Sequence, residues 1–194
     1  ALSVVIGTTK RLIKHKVLTN MFRCGVHWSA RDAGEMHKLF FLAVGKISND
    51  HENIQLSVGG ALLSKTIQQV AGVSRAQLSK LYKEHGDIGD VALACKRSQR
   101  TLFVTKTKPL TVSDVFDTMH RIAAESGVGS EQRRKAHILK MMQRCQGEEI
   151  RFVTRLLAQD TRIGANEVSI LDALVEATLR EELAPAVPDK PAIQ

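Results

Sequence analysis

Four short glycine-bearing segments are the residues best suited to chemistry in this chain, and that chemistry is the holding of phosphate. Ser57-Val58-Gly59-Gly60 and Gly127-Val128-Gly129-Ser130 each precede apolar residues at 3–4 spacing, so each reads as a helix start. A helix start leaves N–H groups without intrahelical partners, and small residues let an anion approach them. Gly86-Asp87-Ile88-Gly89-Asp90-Val91 and Asp160-Thr161-Arg162-Ile163-Gly164-Ala165 form the second pair. In each, Ile88 or Ile163 can plug a core while the glycine after it leaves room at the next helix start. A hairpin of that kind grips a sugar-phosphate backbone without reading bases. Ordinary capping, or a plain helix–helix turn, fits the same spacings.

Catalytic and metal patterns are absent. The seven histidines (15, 27, 37, 51, 85, 120 and 137) show no HExxH or other ligand spacing. Cys24, Cys95 and Cys145 are odd in number and far apart, which fits reduced thiols inside a cell and neither a disulfide framework nor a zinc site. Asp114 and Asp117 lie near a helix start, where carboxylates offset the helix dipole. There is no Walker A loop and no GxGxxG. No apolar run reaches the roughly 18 residues needed to span a bilayer.

The elements that must carry these loops are helical. Val112, Val115, Phe116, Met119 and Ile122 form one apolar stripe, opened by the Thr111/Asp114 capping pair. Ile138, Met142 and Cys145 form a second, Ile150, Val153 and Leu157 a third, and Val168, Leu171 and Val175 a fourth. Upstream, Ser29 with Asp32, then Ser57, then Ser74 are expected to open helices, and a first helix is expected from about Thr8 to Val26. Only Leu102–Thr105 looks extended. The expectation is an all-α fold of about nine helices.

The helical units repeat. Residues 40–91 match 115–166 at an offset of 75 positions, pairing Phe41 with Phe116, Val44 with Met119, Ile47 with Ile122, Leu63 with Ile138, Ile67 with Met142, Val70 with Cys145, Leu78 with Val153 and Leu81 with Leu156. Gly72 pairs with Gly147 and Gly89 with Gly164. A long period points to a duplicated helical unit or a solenoid array. Duplicated units with pseudo-twofold symmetry would present one loop type twice, matching the local twofold axes of duplex DNA.

Of 194 residues 43% are hydrophobic, enough for one compact domain or two small ones, and the net charge of +8 favours an acidic partner. The distribution sharpens this. Ala1 through Arg31 contains no acid beside Lys10, Arg11, Lys14, Lys16, Arg23 and Arg31, and Val91 through Ser113 contains none beside Lys96, Arg97, Arg100, Lys106 and Lys108. Two acid-free basic stretches flanking the first repeat make a footprint for nucleic acid. The start at Ala1 and the proline-rich end after Ala184 read as cuts through a larger polypeptide, with 1–183 a helical DNA-binding domain and 184–194 a linker.

Glu84-His85-Gly86-Asp87-Ile88-Gly89-Asp90-Val91-Ala92, Lys96-Arg97-Ser98-Gln99-Arg100 and Pro109-Leu110-Thr111-Val112-Ser113-Asp114-Val115-Phe116 follow one another in a recognisable order. Arg151-Phe152-Val153-Thr154-Arg155-Leu156-Leu157, Arg162-Ile163-Gly164 and the helix to Leu174 complete it. From about Lys16 to Leu179 the chain resembles the N-terminal DNA-binding domain of replicative-type, DNA ligase I-like, ATP-dependent DNA ligases. The resemblance implies an all-helical, pseudo-twofold module that contacts the minor groove and phosphates of nicked double-stranded DNA during replication, repair and recombination in the nucleus. It implies contacts from Arg162 and Gly164 to one strand, with Gly86 and Gly89 on the symmetry-related loop. Arg97, Ser98, Gln99, Arg100 and Arg23 are further contacts by the same resemblance. Gln159 and Asp160 depart from it, standing where relatives often carry a glycine and a basic residue.

The partners implied are DNA, the adenylation and oligonucleotide-binding-fold domains of the same polypeptide, and, as a further candidate, a sliding clamp. ATP and Mg2+ are expected for the parent ligase and no cofactor for this stretch. A HEAT-like helical scaffold for an acidic protein partner is the alternative that composition leaves open. The family's nucleophile is the lysine of a Lys-x-Asp-Gly motif, and this chain contains no Asp-Gly pair. This stretch is therefore not expected to adenylate itself.

Overall fold

A computed structural model describes residues 1–29, 34–98 and 108–183. These hold ten α-helices: α1 Leu2–Ile6, α2 Arg11–Ser29, α3 Gly34–Val44, α4 Gly60–Ala71, α5 Arg75–His85, α6 Ile88–Ser98, α7 Val112–Ala124, α8 Ser130–Arg144, α9 Glu149–Leu157 and α10 Glu167–Leu183. A single 3-10 turn covers Asp50–Glu52, and no strand occurs among the described residues. The all-α expectation holds, with α1 and α6 as the helices that none of the expected apolar stripes marks. The expected Ser29/Asp32 cap, the extended Leu102–Thr105 and the 184–194 linker lie outside what the described residues can address.

Contacts divide the chain into two compact units, residues 41–162 and residues 1–40 with 163–194. In the first, α4 packs on α8, α6 on both α5 and α9, and α7 on α8. Its core gathers the apolar positions of the repeat: Leu63 and Ile138, Ile67 and Met142, Leu78 and Val153, with Ile47, Met119, Ile122 and Leu156. Phe41 and Phe116, paired by the repeat, meet with ring centroids 6.2 Å apart. Cys145 is buried as its place in the pattern requires, and burial pushes its thiol up to about 12, far from a reactive thiolate.

Capping decides where these helices begin. Ser74 and Gln77 close a reciprocal capping box on α5, and Thr111 and Asp114 close another on α7. The expected Ser57 cap is not the one used: Ser57 sits at φ +50 and α4 is capped by Gly59, with no side-chain bond. The run Ser57–Gly60 does lead into a helix, but Val58 and Gly59 separate the serine from its first residue. Leu56, immediately before the run, is fully buried and anchors the turn.

In the other unit α10 lies along α2, and α1 packs on α2. Here the expected stripe is reversed. Val168, Leu171 and Val175 are exposed, whereas Ile170, Ala173 and Ala177 are buried. Small residues permit close approach of two helix backbones, so the alanines take the inward face and the larger residues are turned out.

Within the first unit, α6 and α9 meet closely at Gly89. A Cβ there would lie 2.7 Å from the Arg151 carbonyl oxygen and 2.7 Å from Arg155 Cγ on α9. Gly89→Ala should therefore force α6 and α9 apart and cost about 1–3 kcal/mol, read as a lowered urea midpoint at unchanged m-value.

Candidate nucleic-acid interface

The loop before α6 is built around a buried carboxylate. Asp87 is 3% exposed and its Oδ2 accepts from the Asp90 N–H at 2.8 Å, closing the start of α6. Arg155 of α9, 4% exposed, donates to the same oxygen through Nε at 3.0 Å and Nη2 at 2.9 Å, and reaches Asp90 at 3.1 Å. Arg151 adds an ion pair to Asp90 at 2.6 Å. Burial pushes the Asp87 carboxyl up, but the bonds from Arg155 and the Asp90 N–H, with the charges of Arg155 and Arg162, outweigh it and hold it below the usual carboxylate range.

Arg162 joins this network from outside. Its Nε lies 2.9 Å from Asp160 Oδ2 and 3.4 Å from Asp87 Oδ1, with 47% of the side chain exposed. Both partners use Nε, and among the described residues the two Nη groups have no protein acceptor. Gln159 precedes this pair at φ +55. The Gln159 N–H donates to Leu156 O and the Asp160 N–H to Arg155 O, both at 3.0 Å, which makes a Schellman end to α9 with glutamine in the position glycine favours.

A cleft of about 950 Å³ brings several of these groups together within residues 58–162. Asp87, Ile88 and Arg162 lie on it, with Gly60 and Ala61 at the start of α4 and Lys65, Arg75 and Lys83 along α4 and α5. Lys65 also reaches Glu131 of α8 at 3.5 Å, an exposed pair that solvent screens. Gly59 and Gly60 have open space where a side chain would stand. The helix start therefore offers N–H groups with no side-chain cap beside a cluster of cations. Lys65, Arg75 and Lys83 were not singled out from sequence. The signal was present: Arg75, Ser79, Tyr82 and Lys83 share one face of α5 by helical spacing.

The other glycine start opens α8. Its cap is Gly129 at φ +77, again without a side-chain bond, while Arg133 donates to Val128 O at 3.0 Å and Ser126 O at 2.8 Å. The remaining sequence-derived residues are dispersed. Gly86, at φ +64, ends α5, whereas Gly89 is buried inside α6. Gly164 stands in a loop at φ +61, so the two loops paired by the repeat differ in form. Gly89 serves helix packing and leaves no room for a phosphate at its Cα. Gly164 accepts from Lys14 Nζ at 3.2 Å, beside a 2.7 Å bond from the same amine to Ile163 O. Arg97 pairs with Glu148 at 3.5 Å, and the Ser98 hydroxyl donates to Cys95 O at 2.8 Å. Arg23 is half-buried on α2, and Gln99 and Arg100 lie outside the described residues.

One likeness was hidden from the sequence. Leu56 and Ile163 are both buried, each is followed by a positive-φ residue, Ser57 or Gly164, and a helix starts three residues later, at Gly60 or Glu167. Serine in a conformation that favours glycine disguised the first copy.

No group of three or more His, Cys, Asp or Glu among the described residues could hold a metal ion. No helix among them is long and apolar enough to cross a membrane.

Residues 2–175 match the family described as DNA ligase N terminus. The chain is 39% identical over 161 residues to DNA ligase 6 of Arabidopsis thaliana and 36% identical over 152 residues to DNA ligase 1 of Saccharomyces cerevisiae, alignments that cover 83% and 77% of it. It is 29% identical over 180 residues, 91% of its length, to a DNA ligase of Pyrobaculum arsenaticum. The alignments span only 11%, 20% and 30% of those three proteins' own lengths.

The buried ion pair sets a test of the scaffold beneath this site. Arg155→Ala leaves the Asp87 carboxylate in the interior with its main partner gone and should cost about 3–5 kcal/mol at neutral pH. Because Arg155 lowers the Asp87 pKa, its stabilisation is full above the ordinary carboxylate range and fades as pH falls through the lowered value. The gap between wild type and variant in urea unfolding should therefore narrow toward acid; a gap independent of pH would contradict the assignment.

Proposed function

Since the chain belongs to the family of DNA ligase N-terminal domains, we propose that it binds nicked duplex DNA without sequence selectivity, through minor-groove and phosphate contacts. In this reading it is the DNA-binding part of an ATP-dependent DNA ligase that seals nicks in replication, repair and recombination in the nucleus. The adenylation and oligonucleotide-binding-fold domains of the parent would supply the chemistry with ATP and Mg2+, and this stretch the grip.

The observation that carries the reading is the cleft where the open α4 start meets Lys65, Arg75, Lys83 and Arg162. Phosphate oxygens would accept from the first N–H groups of α4 and from the cations, an arrangement indifferent to base identity. The α8 start offers a second open terminus. A pseudo-twofold relating residues 41–85 to 116–160 belongs to the same proposal. It is supported by the contact of Phe41 with Phe116, which repeat mates make near a twofold axis, and by the shared burial of Leu63 with Ile138 and Leu78 with Val153. Within the repeat of residues 40–91 and 115–166, the Gly89 and Gly164 positions differ, one inside α6 and the other in a loop.

The scaffold alternative keeps one point in its favour, the exposed Val168, Leu171, Val175 and Leu179 on α10. Salt dependence separates the two readings. If about six phosphates are neutralised, log K for nicked duplex should fall with log salt at a slope of about −5. Affinity that is flat with salt would favour the scaffold, and affinity strongly dependent on base sequence would count against the non-selective DNA reading.

Gly59→Asp gives a sharper test, because an aspartate cap satisfies the α4 N–H groups and adds negative charge where the phosphate would sit. Nothing lies within 4 Å of a Cβ at Gly59. The variant should melt no lower than wild type yet bind DNA about tenfold more weakly. Unchanged affinity would remove the α4 start from the interface.

A further inference from the structure

Nothing in the end of α9 itself requires Asp160 to be acidic. It follows the C-terminal end of α9, where the helix dipole disfavours negative charge, and its side chain is 57% exposed. Its N–H closes the Schellman turn on Arg155 O, a bond any residue but proline can make. What the carboxylate does is hold Arg162, at 2.9 Å through Nε. The turn fixes Asp160 immediately before the Arg162 loop, and Gln159 accepts a left-handed conformation to place it there.

Asp87 shares the same guanidinium at 3.4 Å but cannot leave, being buried and bonded to Arg155 and to the Asp90 N–H. Asp160 is the exchangeable partner.

We propose that Asp160 is a built-in competitor for phosphate, holding Arg162 in the free protein and setting how tightly this loop takes the DNA backbone. The inference rests on the DNA-binding reading above and adds a residue that restrains it. A phosphate oxygen reaching Arg162 must either displace the carboxylate from Nε or bind Nη beside it, and in both cases meets a like charge within a few ångströms. Screening by salt weakens the ion pair and the repulsion together, so the restraint is strongest at low ionic strength.

The test is a double-mutant cycle with the whole chain: wild type, Asp160→Asn, Arg162→Ala and the double variant, each titrated against a fluorescein-labelled nicked duplex at low and moderate salt. Asparagine keeps the N–H to Arg155 O and the side-chain volume, and thermal melts verify that all four proteins are folded. Asp160→Asn should tighten binding about three- to tenfold, Arg162→Ala should weaken it and lower the salt slope by about one, and Asp160→Asn should add little once Arg162 is gone. An Asp160→Asn protein that binds no tighter, while Arg162→Ala still weakens binding, overturns the competition and leaves the DNA reading standing. An equal gain in both backgrounds also overturns it, since simple repulsion would then suffice. If none of the proteins binds nicked duplex, the reading beneath the inference fails with it. A readout without DNA is the Arg162 Nε–H resonance: its exchange with water should quicken in Asp160→Asn, and an unchanged rate counts against the clamp.

Discussion

A carboxylate and a guanidinium withdrawn together from water, Asp87 and Arg155, tie the start of α6 to the face of α9. Each alone would be costly to bury, so the pair holds its geometry or the surrounding packing fails. That geometry explains the glycine at position 89, because the two helices approach until a methyl group would strike the Arg151 carbonyl. It also explains why the Arg162 loop begins where it does. α9 carries Arg155 and ends in the turn that presents Asp160, so the buried pair and the exposed one depend on the same short helix.

Charge is then sorted by use. Asp87 and Asp90 are engaged by Arg155 and Arg151, and Asp114 by Arg144, which with the Thr111 N–H holds its carboxyl down to about 2. Acids that neutralise internal cations leave other lysines and arginines to face solvent. The helix starts divide in the same way. α5 and α7 are closed by reciprocal side-chain boxes, whereas α4 and α8 begin at glycines with no side-chain cap. An anion finds competition at the first two and none of that kind at the second two. In the proposed reading, anion binding falls where local stability has been left incomplete, and the scaffold that tolerates this is the apolar core shared by α4 and α8.

Much of this was legible in the residue order, for reasons of local physics. Apolar residues at 3–4 spacing identify helices because a single face must be buried, and Thr111/Asp114 and Ser74 mark starts because their side chains satisfy nearby N–H groups. Leu63, Ile67, Ile138 and Met142 are core in the structure as their spacing indicates. The glycine runs before α4 and α8 are helix starts as well, although Gly59 and not Ser57 caps the first. The family relationship was legible too, since the glycine loops and the arginines around them keep their order.

Residue order is thus sufficient for the all-helical class, most helix starts, the basic character and the family, because these depend on neighbours within a few turns of chain or on composition. Which of two apolar faces α10 buries is a matter of packing, because only the approach of α2 makes alanine preferable to valine there. Packing likewise separates Gly89, which joins a helix pair, from Gly164, which sits in a left-handed turn, since identical residue types carry no record of what stands opposite them. The partners of Arg162 follow the same rule. Asp160 is two positions away, but Asp87 is 75 positions distant, and only the folding of α9 against α6 brings both carboxylates to one guanidinium.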